Sequence, residues 1–282
     1  MTLPADAHVH SEWSWDTGGP ASDAAGTMER TCRRALAIGL PAVVFTEHLD
    51  FDGWLIDPAD VLDHQEQLLV SDGTLRPPPL DATGYLESID RCRSLFPDLR
   101  ILTGVEYGQP HLFDHRVGEV IDLGSLDRVN GSLHTLTDGD HRSEPFTLFR
   151  RWPADEVIRA YLEEVPRMVA ASDTFEVFTH IDYAVRFWPV ETEGPFDPTR
   201  FEDGFRAAMR ALAESERGLE LNTRRLWSWI PQWWVEEGGR AVSFGSDAHT
   251  ADTLAAHLPE AAAMAEHFGF RPGRRPEDLW RR

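Results

Sequence analysis

The sequence predicts an α/β fold with parallel strands, on three observations. Short apolar runs alternate with helical stretches about seven times along 282 residues, the pattern of strands joined by crossovers. Nearly every run ends in a polar residue of metal-ligating type. No glycine-rich phosphate loop follows any of them, which counts against a dinucleotide-binding sheet. The alternation fits a closed barrel or an open doubly wound sheet, and the length suits one large α/β barrel.

The first run reaches Asp6-Ala7-His8-Val9-His10 almost at once. On an extended strand residues i and i+2 share a face, so His8 and His10 project together, as two imidazoles meeting one metal ion must. A polar loop through Gly18-Gly19-Pro20 leads to a helix over 22–38, with Ser22 as N-cap and Gly39 as its stop. A second strand over 41–46 ends in Glu47-His48. From 49 to 80 the pattern breaks up at Gly53, Pro58, Gly73 and Pro77-Pro78-Pro79. This reads as a long insertion over one face, with one helical turn around 60–69.

A helix over 81–96 precedes a third strand over 100–105 that ends in Glu106, and a fourth over 128–133 ends in His134. The helix over 153–171 is strongly amphipathic, with Val157, Ile158, Tyr161, Leu162, Val165 and Met168 on its apolar side. A fifth strand over 175–179 ends in His180. A helix over 197–216 leads to a sixth strand over 218–221, which ends in Asn222. The seventh, over 241–245, ends in Ser246-Asp247-Ala248-His249. A last helix is expected over 250–268, followed by an arginine-rich tail expected to fray.

Composition narrows the function. The formal charge is −21 and all 27 cations are arginine. That disfavours a sequence-independent nucleic-acid binder, which needs a basic footprint, and any anionic substrate needs a local positive site. Cys32 and Cys92 are the only cysteines, too few for a disulfide framework or a thiolate zinc site. The start lacks a basic and apolar leader, and no apolar run approaches the roughly 20 residues that span a bilayer. The expectation is a soluble cytoplasmic protein without a membrane partner.

In a parallel barrel the C-terminal strand ends converge on one mouth, where such enzymes place their chemistry. His8, His10, His48, Glu106, His134, His180, Asn222, Asp247 and His249 would meet there. Packing alone wants apolar residues at such positions. The donors are nitrogen and oxygen without sulfur, which suits zinc, manganese or iron and not a dedicated calcium site. Six histidines and two or three carboxylates exceed what one ion can use. A cluster of two or three divalent ions is expected, with Glu106 best placed to bridge. Clustered ions suit phosphoryl transfer and offset an acidic surface around a phosphate.

These residues resemble the polymerase and histidinol phosphatase (PHP) superfamily, most closely its histidinol-phosphatase branch. The resemblance rests on His8-Val9-His10 with Ser14 and Asp16, Thr46-Glu47-His48, Gly104-Val105-Glu106, Gly131-Ser132-Leu133-His134, Thr179-His180-Ile181-Asp182, Leu221-Asn222-Thr223 and Gly245-Ser246-Asp247-Ala248-His249, in that order. It implies a distorted seven-stranded (β/α) TIM-like barrel, with 1–282 as a single domain and 49–82 as a loop insertion. By the same resemblance, His8, His10, Glu106 and Asp247 would hold one ion. Glu106, His134 and His180 would hold a second, and Asp16, His48 and His249 a third. Glu106, Asp247 and His249 would stand nearest the chemistry. The implied reaction is hydrolysis of a small phosphate monoester, L-histidinol phosphate in histidine biosynthesis, by in-line attack of water on phosphorus.

Two stretches depart from the family pattern. Arg224-Arg225-Leu226-Trp227 follows Asn222-Thr223, where that branch has a small residue, glycine, leucine and a basic residue. Arg224, Arg225 and Arg186, which follows the His180 loop, are therefore candidate phosphate contacts; arginines packed on the tryptophans nearby are the alternative. The stretch 49–82 carries no family motif. Rival readings are a phosphatase or phosphodiesterase of the same superfamily acting on nucleotides or another small ester, and a metal-binding protein without catalysis.

Overall fold

The computed structural model describes residues 3–20 and 26–282. The first half contains β1 (Asp6–Val9), α1 (Met28–Ala37), β2 (Ala42–Leu49), β3 (Trp54–Leu55), β4 (Thr74–Leu75), α2 (Ala82–Leu95), β5 (Arg100–Gly108), α3 (Pro110–Val117) and β6 (Arg128–Ser132). Next come β7 (Leu136–Asp138), β8 (His141–Ser143), α4 (Pro145–Leu148), α5 (Ala154–Ala171), β9 (Val177–Phe178), α6 (Val190–Glu193) and α7 (Glu202–Glu214). The chain ends with β10 (Gly218–Asn222), α8 (Trp229–Glu236), β11 (Ala241–Gly245), α9 (Leu258–His267) and β12 (Trp280–Arg281).

Seven strands pair in parallel in the order β1-β2-β5-β6-β9-β10-β11. The two edges of this curled sheet meet. Val9 bridges Ala248, the Asp247 N–H donates to the His8 carbonyl at 2.8 Å, and the His10 N–H donates to the Ala248 carbonyl at 2.9 Å. The result is the distorted seven-stranded barrel, joined by β12, which pairs antiparallel with the start of β11. Outward residues such as Val43, Phe45, Ile101 and Val105 pack in the main core beneath the helices. Ala5, Ala7, Ala42, Val44 and Leu102 form a separate small cluster.

Several elements differ from their sequence expectation. The expected N-cap Ser22 lies outside the described residues; α1 starts at Met28 and is capped by the Thr27 side chain, which accepts from Arg30 N–H. The single turn expected near 60–69 is two 3₁₀ helices, Pro58–Asp60 and Asp63–Leu68. The last helix is cut short: Ala255 and His257 have φ of 56° and 54°, and α9 begins at Leu258 with proline in its first turn, the position where proline is tolerated. The tail does not fray. Trp280, 1% exposed, packs edge-on against Phe244 with ring centroids 4.9 Å apart, and its burial holds β12 on the barrel.

The insertion and the β7–β8 hairpin together build a second, smaller sheet of order β4-β3-β8-β7. Its β3 pairs with β8 at Leu55 and Ser143, so it is tied to the segment that follows His134. Trp54, Ile56 and Leu75 bury its inner face, with Trp15 and Phe146 packed against them. No helix among the described residues is long and apolar enough to cross a membrane.

Candidate metal centre

The β2–β5 register sets His48 opposite Glu106, and Glu106 is the hub of the mouth. Its Oε1 lies 2.7 Å from His180 Nε2 and 3.2 Å from His134 Nε2, and accepts a hydrogen bond from Ser132 Oγ at 2.5 Å. Its Oε2 lies 3.2 Å from His8 Nε2, 3.3 Å from His10 Nε2 and 3.2 Å from His48 Nδ1. One carboxylate thus faces two separate groups of imidazoles. β1 itself is bulged between Asp6 and Val9 and ends before His10, yet His8 and His10 still meet, with their Nε2 atoms 3.1 Å apart.

Asp247 faces the first pair from across the barrel seam, its Oδ1 3.4 Å from His10 Nε2 and 3.8 Å from His8 Nε2. It adopts φ 53°, a left-handed conformation costly for a non-glycine residue and found where function demands it. Asp16 Oδ2 lies 2.8 Å from His249 Nε2 and 3.4 Å from His48 Nε2. His8, His10, Asp16, His48, Glu106, His134, His180, Asp247 and His249 therefore stand together.

A further layer orients them. His8 Nδ1–H donates to Glu220 Oε2 at 2.6 Å. His10 Nδ1–H donates to Ser14 Oγ at 3.0 Å, and Ser14 Oγ–H donates to Glu47 Oε2 at 2.7 Å. Each bond fixes a tautomer and turns Nε2 inward, the arrangement metal-ligating histidines adopt. Asp50 lies 3.6 Å from the Nδ1 atoms of both His48 and His134. Strand ends alone do not single out Glu220 or Asp50, although each sits two residues from a strand-end candidate, Asn222 and His48 respectively. Asn222 is no ligand candidate here: its Nδ2–H donates to Glu220 Oε1 at 2.9 Å and so braces Glu220.

Burial alone would raise the Glu106 carboxyl, but His8, His134 and His48 hold it well below the ordinary range. Burial likewise opposes ionisation of Asp247, and Arg186 and His8 reverse it. Burial, with His249 and His48 alongside, lowers His10, favouring the neutral imidazole that ligation requires. His8 goes the other way: burial lowers it, and Glu106, Glu220 and Asp247 together lift it well above its ordinary value. These carboxylates make a place for cations. Within it His48 Nδ1, Asp50 Oδ1 and Asp16 Oδ1 are buried without a hydrogen-bond partner. Ligand atoms lie within 4.8 Å of one another in four groups: His8/His10/Asp247, His8/Glu106/His180, His10/His48/His249 and His48/Asp50/His134. An all-nitrogen-and-oxygen donor set with orphaned atoms at its centre fits divalent transition ions.

The centre opens into a cleft of about 490 Å³ walled by the barrel mouth and by the insertion, through Trp54, Ile56, Leu62 and Leu75. Arg186 and Arg224 line it. Arg186 Nη1–H donates to Asp247 Oδ2 at 2.7 Å, while its Nη2 is buried and unpartnered. Arg225 is exposed, does not line the cleft, and donates to the Arg186 carbonyl at 3.5 Å. In the tryptophan-rich stretch that follows, it is Arg206, and not Arg224 or Arg225, that covers Trp233, 5.3 Å from its ring centroid.

The PHP domain family model matches residues 6–224. The chain belongs to the PHP domain family. This PHP domain is 26% identical over 277 residues to a histidinol-phosphatase of Lactococcus lactis, covering 94% of this chain and 91% of that one. It is 26% identical over 200 residues to a probable histidinol-phosphatase of Clostridium acetobutylicum, covering 68% of this chain and 76% of the other. The crystal structure of the Lactococcus lactis histidinol phosphate phosphatase, complexed with zinc, L-histidinol and phosphate, superposes with a TM-score of 0.74 at 24% identity over 95% of each chain. The PHP barrel is thus shared along nearly its whole length.

Proposed function

We propose that this chain is a metal-dependent phosphomonoesterase that hydrolyses L-histidinol phosphate to L-histidinol and phosphate, a step of histidine biosynthesis. The reaction class rests on one observation: six histidines, with Asp16 and Asp247, converge around Glu106 at the barrel mouth, beside Arg186 and Arg224. The substrate rests on the near full-length likeness to the Lactococcus lactis histidinol-phosphatase.

In this reading His8, His10, Glu106 and Asp247 hold one ion. Glu106, His134 and His180 hold a second, and Asp16, His48 and His249 a third, the ions being zinc, manganese or iron. Such ions supply Lewis acidity toward water and toward the phosphoryl oxygens. The chain's own part is to place charge and exclude solvent. Arg186 and Arg224 bind the phosphate, with the unpartnered Arg186 Nη2 as donor, and Arg225 supports the Arg186 backbone. Glu106, Asp247 and His249 fix the reacting end of the ester. The leaving alcohol takes its proton from water or a nearby acid. We read 1–282 as one barrel domain with 49–82 as an insertion, and the scarce cysteines as fitting a cytoplasmic enzyme.

The test is phosphate release from L-histidinol phosphate by metal-loaded protein, beside a panel of aryl phosphates, sugar phosphates and nucleotides. Preferential turnover of histidinol phosphate is expected. A rate no better than that on generic aryl phosphates, or a preference for nucleotides, overturns the substrate.

A further inference from the structure

Six carboxylates line the cleft: Asp16, Asp50, Asp60, Glu106, Glu144 and Asp247. Five of them have a histidine or arginine nitrogen within 4 Å. Glu144 has none among the described residues. It is 9% exposed, and Tyr183 Oη–H donates to its Oε2 at 2.6 Å. A buried carboxylate needs a countercharge or it gives up its charge, and burial pushes this one up to about 7.

The surroundings say what that countercharge is. Trp15 and Trp54, with ring centroids 5.5 Å apart, stand on the side of the insertion. Phe187 packs 5.4 Å from Phe146 and 5.4 Å from Tyr183, and all three line the same cleft. Aromatic faces beside one carboxylate that no histidine or arginine contacts form a site for an organic cation. Glu144 repels a phosphate, and the arginines that would take it are paired to Asp247, Arg186 also covering the Tyr183 ring at 5.5 Å. Glu144 therefore borders the metal centre, its partner Tyr183 packing 5.1 Å from the rings of both His134 and His180, where it can meet the alcohol of an ester whose phosphate sits at that centre.

We propose that Glu144, held by Tyr183 within this aromatic compartment, is the specificity residue that takes a cationic group on the leaving alcohol of the phosphate ester. The inference deepens the phosphomonoesterase reading and rests on it. It does not depend on the alcohol being histidinol.

The experiment compares kcat/KM on three esters for the metal-loaded protein and its Glu144→Gln form: L-histidinol phosphate, phosphocholine, and phenyl phosphate, whose leaving alcohol is uncharged. The ratio of the better cationic ester to phenyl phosphate is expected to fall on the order of 10- to 100-fold, the worth of a hydrogen bond to a charge, with the loss in KM. Tyr183→Phe should move the ratio the same way by less. Loss in equal proportion on all three esters overturns the proposal, because it makes Glu144 part of the phosphate chemistry or of the fold. If phosphocholine is the preferred ester and Glu144→Gln erases that preference, the histidinol assignment falls and the role of Glu144 stands. If histidinol phosphate is preferred and the ratio does not move, the role falls and the assignment stands.

Discussion

His8 and Glu220, 212 residues apart in the chain, are joined by a 2.6 Å hydrogen bond from Nδ1–H to Oε2, and it is this bond that leaves His8 Nε2 facing Glu106. Glu220 also accepts from the His180 N–H at 3.3 Å, so one buried carboxylate braces two candidate ligands on opposite sides of the hub. Glu220→Gln keeps the shape and removes the charge. Metal affinity is expected to fall about 10- to 100-fold, the usual worth of such a supporting residue. Metal content against free-metal concentration checks it, and an unchanged binding curve would remove Glu220 from the site.

Glu106→Gln should do more. The amide offers a single carbonyl oxygen where the carboxylate gives Oε1 to His134 and His180 and Oε2 to His8, His10 and His48. Loss of bound metal and of phosphatase activity together is expected, beyond the roughly 100-fold that a supporting residue is worth. Chelation of the unmodified protein should abolish activity, and readdition of zinc, manganese or iron should restore it. Full metal content in Glu106→Gln would contradict the bridging role.

What the sequence makes legible is the inner ring. Strand alternation and strand ends mark His8, His10, Glu106, His134 and Asp247 because the barrel sends all those ends to one place. The supporting layer is harder to read. Glu220 and Glu47 lie within strands, where a carboxylate is ambiguous until its partner from a distant strand is known. The insertion resists reading for another reason: its strands β3 and β4 are two residues each, too short for a period, and they gain order only from β8 and the Trp54 cluster. The tail misleads because its arginines outvote Trp280, a single residue whose burial decides the outcome.

Gly245 shows how closely the barrel is built behind the site. A Cβ there would run into the His8 Cβ and come within 2.6 Å of Glu220 Oε2. Gly245→Ala is expected to cost about 1–3 kcal/mol, typical of overpacking, and to push His8 off its Glu220 partner. A lower urea midpoint together with weaker metal binding is the expected pair of results. A stable variant with normal metal affinity would show that β11 can yield at this position without disturbing His8.

Glu144 gives a pH dependence whose sign can be worked out. Burial, partly offset by the Tyr183 hydrogen bond, raises its folded value from 4.5 to about 7. Between those values the folded chain holds a proton that the unfolded chain has released, so stability from this group is full below about 4.5 and is lost as pH rises through about 7. The loss is bounded at roughly 3 kcal/mol, because each tenfold change in proton affinity is worth about 1.4 kcal/mol. Glu144→Gln stays neutral throughout. In urea melts of metal-free protein from pH 4 to 8, the unmodified chain should therefore lose stability relative to this variant as pH rises. Parallel curves would mean that Glu144 titrates normally in the folded protein.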